Sequence, residues 1–145
     1  MENRKIAERY AHALHTSDLG LLAELVHADI VVRYPQSGEV IRGRDNYLAM
    51  LSNYQSGLPE SEITDLHGGK ASVHVVSPFS VGTPTITVIG SGETFVIEGV
   101  AEYSDSGHFN FVMILIMMDD RVSEEVGYWA SPFDAPGWRR PFVEA

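Results

Sequence analysis

Glu125 is the residue of this chain best suited to acid/base chemistry. On the strand pairing set out below, it is the only carboxylate that the three C-terminal strands turn toward a cavity wall. A carboxyl group drawn out of water has its pKa raised toward neutrality, where it takes and returns protons at ambient pH. The competing reading pairs it with Arg121 near the end of the same strand. His108 and Asn110 stand two residues apart on one strand face, as a proton shuttle and an orienting hydrogen-bond partner would. Beside the turn residues Ser104 to Gly107, the alternative for His108 is simple exposure to solvent. Tyr10, Tyr34, Tyr47, Tyr54, Tyr103 and Trp129 supply ring faces and polar donors for a ring-shaped ligand, and the same residue types equally serve core packing.

Other chemistries lack their residues. His12 and His15 share a helix face, but no zinc motif or further ligand at suitable spacing accompanies them, so no metal site is expected. The chain has no cysteine, which excludes a thiolate metal centre and a disulfide framework. Gly90-Ser91-Gly92 lacks the lysine and the helix start of a phosphate loop. Cofactor-independent chemistry is the expectation.

The stretch Thr94 to Ala130 must position the candidate groups. It reads as three antiparallel strands: Thr94–Tyr103, the long apolar run His108–Met118, and Arg121–Ala130, joined by turns at Ser104–Gly107 and Asp119–Asp120. Pairing them about those turns sorts the side chains by the period of two. One face collects Val96, Glu98, Val100, Glu102, Phe109, Phe111, Met113, Leu115, Met117, Val122, Glu124, Val126 and Tyr128, mixing bulky apolar groups with three carboxylates. Leaving its apolar patch in water is costly, so a homodimer through the Phe109, Phe111, Met113 and Leu115 face is predicted. The other face, with Phe95, Ile97, Gly99, Ala101, Tyr103, His108, Asn110, Val112, Ile114, Ile116, Ser123, Glu125, Gly127 and Trp129, has small residues at its centre and reads as the cavity wall.

The remainder reads as a lid. Ile6, Tyr10, Ala13 and Leu14 recur at helical spacing over Asn3–His15. Ser17 or Asp18 then caps a second helix with Leu21, Leu22, Leu25 and Val26 on its apolar face, ending at His27–Asp29. Ile30–Tyr34 is a short strand stopped by Pro35, and a third helix from Gly43 or Arg44 carries Tyr47, Met50, Leu51 and Tyr54 before fading at Gly57–Pro59. Ser61–His67 and Thr83–Ile89 read as further strands. The predicted fold class is α+β: a cone-shaped barrel in which a curved, mostly antiparallel sheet is closed by three N-terminal helices.

Its 145 residues suit one domain, 1–145, with a sizeable core. The net charge of −10 and a pI near 4.9 argue against nucleic acid and anionic membranes and leave small neutral or cationic ligands open. The N-terminal residues carry no apolar signal region and no run is long enough to span a bilayer, so a cytoplasmic location is expected.

Asp18-Leu19, Ala28-Asp29, Pro35, Gly43-Arg44, the turn Asp119-Asp120-Arg121-Val122 and Tyr128-Trp129 together resemble the nuclear transport factor 2-like superfamily, and within it the SnoaL-like proteins. Pro132-Phe133 and Pro136-Gly137-Trp138-Arg139-Arg140 resemble the C-terminal tail of many members. The likeness spans nearly the whole chain and implies an α+β cone around a hydrophobic pocket, of the kind used by polyketide cyclases and isomerases. Arg9 to Pro35 is similar to the first helices of bacterial ketosteroid isomerases, which gives Tyr10 the place of an oxyanion-hole tyrosine. The position before the proline, that family's general-base aspartate, is here Tyr34, and a tyrosine with an ordinary pKa near 10 is no resting base at neutral pH. Limonene epoxide hydrolases need charged groups where Gly99, Ala101 and Gly127 fall. The resemblance therefore implies a small-molecule-binding domain acting as a cyclase, isomerase or dehydratase on a hydrophobic ring substrate, or else a non-catalytic ligand-binding or dimerisation module.

Overall fold

The structure is a computed structural model and describes residues 2–16, 18–57, 87–103 and 107–144, without the side chains of residues 15, 54–57, 87, 101–103, 107 and 108. The strand expected at Ser61–His67 and most of that at Thr83–Ile89 lie outside the described residues. The sequence order is α1 (Asn3–Thr16), α2 (Leu19–Leu25), β1 (Val26–Tyr34), β2 (Glu39–Arg42), α3 (Arg44–Gly57), β3 (Thr87–Ser91), β4 (Thr94–Tyr103), β5 (Gly107–Met118) and β6 (Arg121–Ala130). A 3-10 turn, Arg140–Phe142, lies in the C-terminal tail.

The helices follow from their apolar stripes. Ile6, Ala7, Tyr10, Ala11 and Ala13 of α1 are buried, and Asp18 caps α2 by accepting from the Leu21 amide at 2.9 Å. Val26 to Asp29 departs from the expected helix end. Its residues already belong to β1, in keeping with the β-branched run that follows, and β2 was not foreseen behind the Pro35–Gly38 turn.

The strands form one sheet in the order β2-β1-β6-β5-β4-β3. It is mixed, because β1 runs parallel to β6 while every other neighbour pair is antiparallel. Among the described residues it remains open at β2 and β3, which corrects the expected closed barrel. β1 and β6 meet only because the chain returns to the start of the sheet after 86 intervening residues, a long-range pairing that local patterning does not encode.

Two local features set the faces. Asp119 and Asp120 both have positive φ, 54° and 57°, as the central pair of a type I′ hairpin turn requires, and Met118 pairs directly with Arg121. Ser123 is then an extra residue in β6: Met117 opposes Val122, whereas Ile116 opposes Glu124. Such a bulge advances one strand by one residue and returns Val122 and Glu125 to the same side. The Ser123 hydroxyl holds the kink by donating to the Ile116 carbonyl at 3.0 Å.

At the other end of β5, Tyr103 pairs with Gly107, one residue short of the expected His108. That slip transfers all of β5 to the opposite face. Phe111, Met113, Leu115 and Met117 join Phe95 and Ile97 in the core under α1, and so cannot form the predicted dimer surface. The outward row is instead Val112, Ile114 and Ile116, flanked by Val96, Val126 and Tyr128.

α1 is fastened to β3 and the turn that follows it by two consecutive side chains of its first turn. Asn3 donates to the Gly92 carbonyl at 2.8 Å and Arg4 to the Val88 carbonyl at 3.0 Å. α3 contacts β1 and β2. Both helices therefore bring tyrosines toward β6 from different directions.

Candidate active site

Glu125 is the single buried charged residue of the described core, only 1% exposed. It opposes Leu115 on β5 and Val32 on β1, so strand neighbours offer its carboxyl no polar group. The helices do. Tyr10 of α1 donates its hydroxyl proton to Glu125 Oε1 at 2.5 Å, Tyr47 of α3 approaches the same oxygen at 3.4 Å, and the two hydroxyls are 2.8 Å apart. Since Tyr10 has one proton and gives it to the carboxylate, Tyr47 donates to Tyr10 and leans toward Oε1.

The other oxygen, Oε2, is equally buried and has no hydrogen-bond partner among the described residues. A buried acceptor without a donor costs free energy, so this atom is either a local weakness or the group that meets a ligand.

Burial raises the Glu125 pKa from 4.5 to about 7, and the hydrogen bonds from Tyr10 and then Tyr47 partly oppose the rise. Both protonation states are thus populated near neutral pH. Burial also pushes Tyr10 and Tyr47 well above their ordinary value, and the adjoining Glu125 charge adds to the effect, so both remain neutral donors. Tyr34 is raised by burial, then by the charges of Glu125 and Glu39, which removes any role as a base.

One aromatic group, Trp129, lies close to the free oxygen. Trp129 stacks on Phe111 with centroids 5.9 Å apart and meets Tyr34 edge-on at 5.6 Å, while Gln36 accepts from its backbone amide at 2.8 Å. Gly127 makes this arrangement possible. A Cβ there would sit 2.4 Å from Trp129 Cζ3 and 3.3 Å from Glu125 Oε2, so the indole edge and the free oxygen flank the same missing side chain.

Glu125, Tyr10, Tyr47, Tyr34 and Trp129 are therefore gathered at one place. Asn110 is not: it is exposed and pairs with Val100 and Ala130 on the outward row. The His108 backbone pairs with Glu102, and the side chains of His108, Tyr54 and Tyr103 lie outside the described residues. Phe111, which the sequence assigns to the opposite face, and Gln36, which it does not single out, join the site. A three-residue count for the β4–β5 turn would have found the first, whereas Gln36 sits in an aperiodic turn that carries no signal. Among the described residues, no group of three or more His, Asp or Glu side chains is arranged to hold a metal ion.

The fold and this site can be set beside known proteins. The family model for the SnoaL-like domain matches residues 7–125, from α1 to the carboxylate itself. The chain belongs to the SnoaL-like domain family. Solved structures agree on the architecture of this SnoaL-like domain. An NTF-2 like protein of unknown function from Burkholderia xenovorans LB400 is 25% identical, with a TM-score of 0.71 over 99% of this chain and 94% of that one. A putative ketosteroid isomerase from Kribbella flavida is 20% identical, with a TM-score of 0.73 over 99% and 88%, a likeness of fold alone. No curated protein matches this SnoaL-like domain.

Proposed function

We propose that this SnoaL-like domain binds a small hydrophobic molecule against the Trp129–Tyr34 side of Glu125 and acts on it as a cofactor-independent acid/base enzyme, an isomerase, cyclase or dehydratase. The observation that carries the reading is the asymmetry of the Glu125 carboxyl, with Oε1 anchored by Tyr10 and Oε2 buried and unpartnered. An anchored carboxyl does not rotate away when its proton moves. Its pKa of about 7 lets it remove a proton at one carbon or oxygen and return it at another without a metal or a redox group. Closure of the helices into a cone over this face belongs to the same proposal, because desolvation is what keeps the carboxyl near neutrality.

The test is a thermal-shift and native mass spectrometry screen with steroids, terpenoids and polyketides, followed by turnover assays on the compounds that bind. A ligand at a hundred times its Kd stabilises the fold by about 2.7 kcal/mol. Glu125→Gln should bind such a ligand and fail to convert it. Full turnover by Glu125→Gln would remove Glu125 from the mechanism.

A second, compatible reading concerns assembly. The half-buried row Val112, Ile114, Ile116 and Val126, with Tyr128 and Met118 exposed, favours a homodimer through the outward sheet face.

A further inference from the structure

We infer that the ligand met by Glu125 is an organic cation, a hydrophobic amine whose protonated nitrogen pairs with Oε2 beside the Trp129 edge. The inference rests on the small-molecule reading above and adds the charge of the ligand. The groups acting on the Glu125 carboxyl are its burial and two neutral phenols; among the described residues, no cationic side chain is an ion-pair or hydrogen-bond partner of it. An ionised carboxylate so placed lacks a counter-charge, and a ligand that brings one gains more there than in water.

The aromatic groups bear on the body of such a ligand rather than on its charge. The indole turns an edge atom, Cζ3, toward the gap beside Oε2, so Trp129 supplies apolar contact for the ring of a hydrophobic amine while Oε2 meets the nitrogen. Trp129 is fixed by Phe111, Tyr34 and the Gln36 side chain, so its position beside Gly127 and Oε2 is preorganised rather than adopted on binding. The net charge of −10 favours the approach of a cation.

The titratable groups facing Glu125 are Tyr10 from α1, Tyr47 from α3 and Tyr34 from β1, while β5 presents Leu115. All three phenols have raised pKa values and stay neutral across the range in which Glu125 titrates. The pH dependence of amine binding therefore reports Glu125 at its acid end and the amine itself at its alkaline end.

The experiment compares cyclohexylmethylamine with cyclohexylmethanol by calorimetry at pH 5.5 and pH 8.5, conditions chosen to bracket the Glu125 value of about 7. Both probes donate a hydrogen bond and have the same ring, but only the amine is charged. The inference expects the amine to bind at least about tenfold tighter than the alcohol at the higher pH, and about thirtyfold weaker at the lower, where only a few per cent of Glu125 is ionised. Glu125→Gln, which keeps the acceptor for Tyr10, should erase the preference. Equal affinities of the two probes at the higher pH overturn the cationic class and leave the small-molecule site standing. A pH-independent preference for the amine also overturns the assignment to Glu125. Saturable binding of neither probe overturns both readings.

Discussion

Tyr10 and Glu125 lie 115 residues apart in sequence, and the hydroxyl of the first donates to the carboxyl of the second at 2.5 Å inside the core. The bond ties the first helix to the last strand of the sheet. It also fixes which carboxyl oxygen is held and which is free, so the same contact serves stability and the proposed chemistry.

Its removal should be measurable in Glu125 itself. Tyr10→Phe deletes a donor that favours the ionised form, and a hydrogen bond to a charged group contributes about 1.5–3 kcal/mol. The Glu125 pKa is then expected to rise from about 7 to about 8 or higher, read by carboxyl-carbon NMR titration. Tyr47→Phe, whose hydroxyl is 3.4 Å from Oε1, should move it less. The reverse ranking would contradict the hydrogen-bond assignment.

Stability should fall as pH rises from about 4.5 to about 7. The Glu125 pKa is raised in the folded state, so within that window the folded chain holds a proton that the unfolded chain has released. The contribution is complete below the unfolded value and lost above the folded one, amounting to about 3 kcal/mol. Urea denaturation of the wild type and Glu125→Gln across this range checks it: the variant should gain on the wild type as pH rises. A constant difference would show that Glu125 titrates normally.

Gly127→Ala should displace the Trp129 indole, because the new Cβ would come within 2.4 Å of Cζ3. The expected cost is about 1–3 kcal/mol, typical of overpacking. Trp138 is 75% exposed and can be replaced by Phe to leave Trp129 as the only tryptophan, excited selectively at the red edge of the absorption band. In that background, an unchanged emission maximum with unchanged stability would refute the close approach.

Asp120→Gly should stabilise the β5–β6 hairpin by about 0.5–1 kcal/mol, since φ is 57° there and glycine adopts that region freely. Asp120→Val should do the opposite. Paired thermal melts distinguish the two directions.

Ile114→Glu, on the outward row, should convert the proposed dimer to monomer without unfolding the chain, as seen by light scattering and circular dichroism. Met113 points into the core, so Met113→Glu should unfold the chain instead. A wild type that is monomeric at all concentrations would exclude the dimer.

The helices and the three C-terminal strands were legible because their evidence is local: the spacing of Ile6, Tyr10 and Ala13, the Asp18 cap, and the Asp119-Asp120 turn each act within a few residues. Glu125 also emerged on the same face as Phe95, Ile97 and Trp129, but through two errors that cancelled. Gly107 reads as a turn residue by composition but already pairs with Tyr103, and no residue of β6 signals the bulge at Ser123. Between them lies β5, where only one error applied, so Phe111 and Leu115 were assigned outward and Asn110 inward. An apolar run such as Phe111 to Met118 has no polar alternation to mark its sides, so its register is set by partners rather than by its own residues.

The sequence by itself determined the helical stripes, the strands, the acidic charge and a short set of candidate groups. Only the tertiary structure decided that Tyr10 and Tyr47 hold one oxygen of Glu125 and leave the other free, and that Gly127 makes room for Trp129 beside it. Those relations arise where α1, α3, β1 and β6 meet, and a contact between elements so distant along the chain depends on sheet order and strand register, which no local pattern of residues encodes.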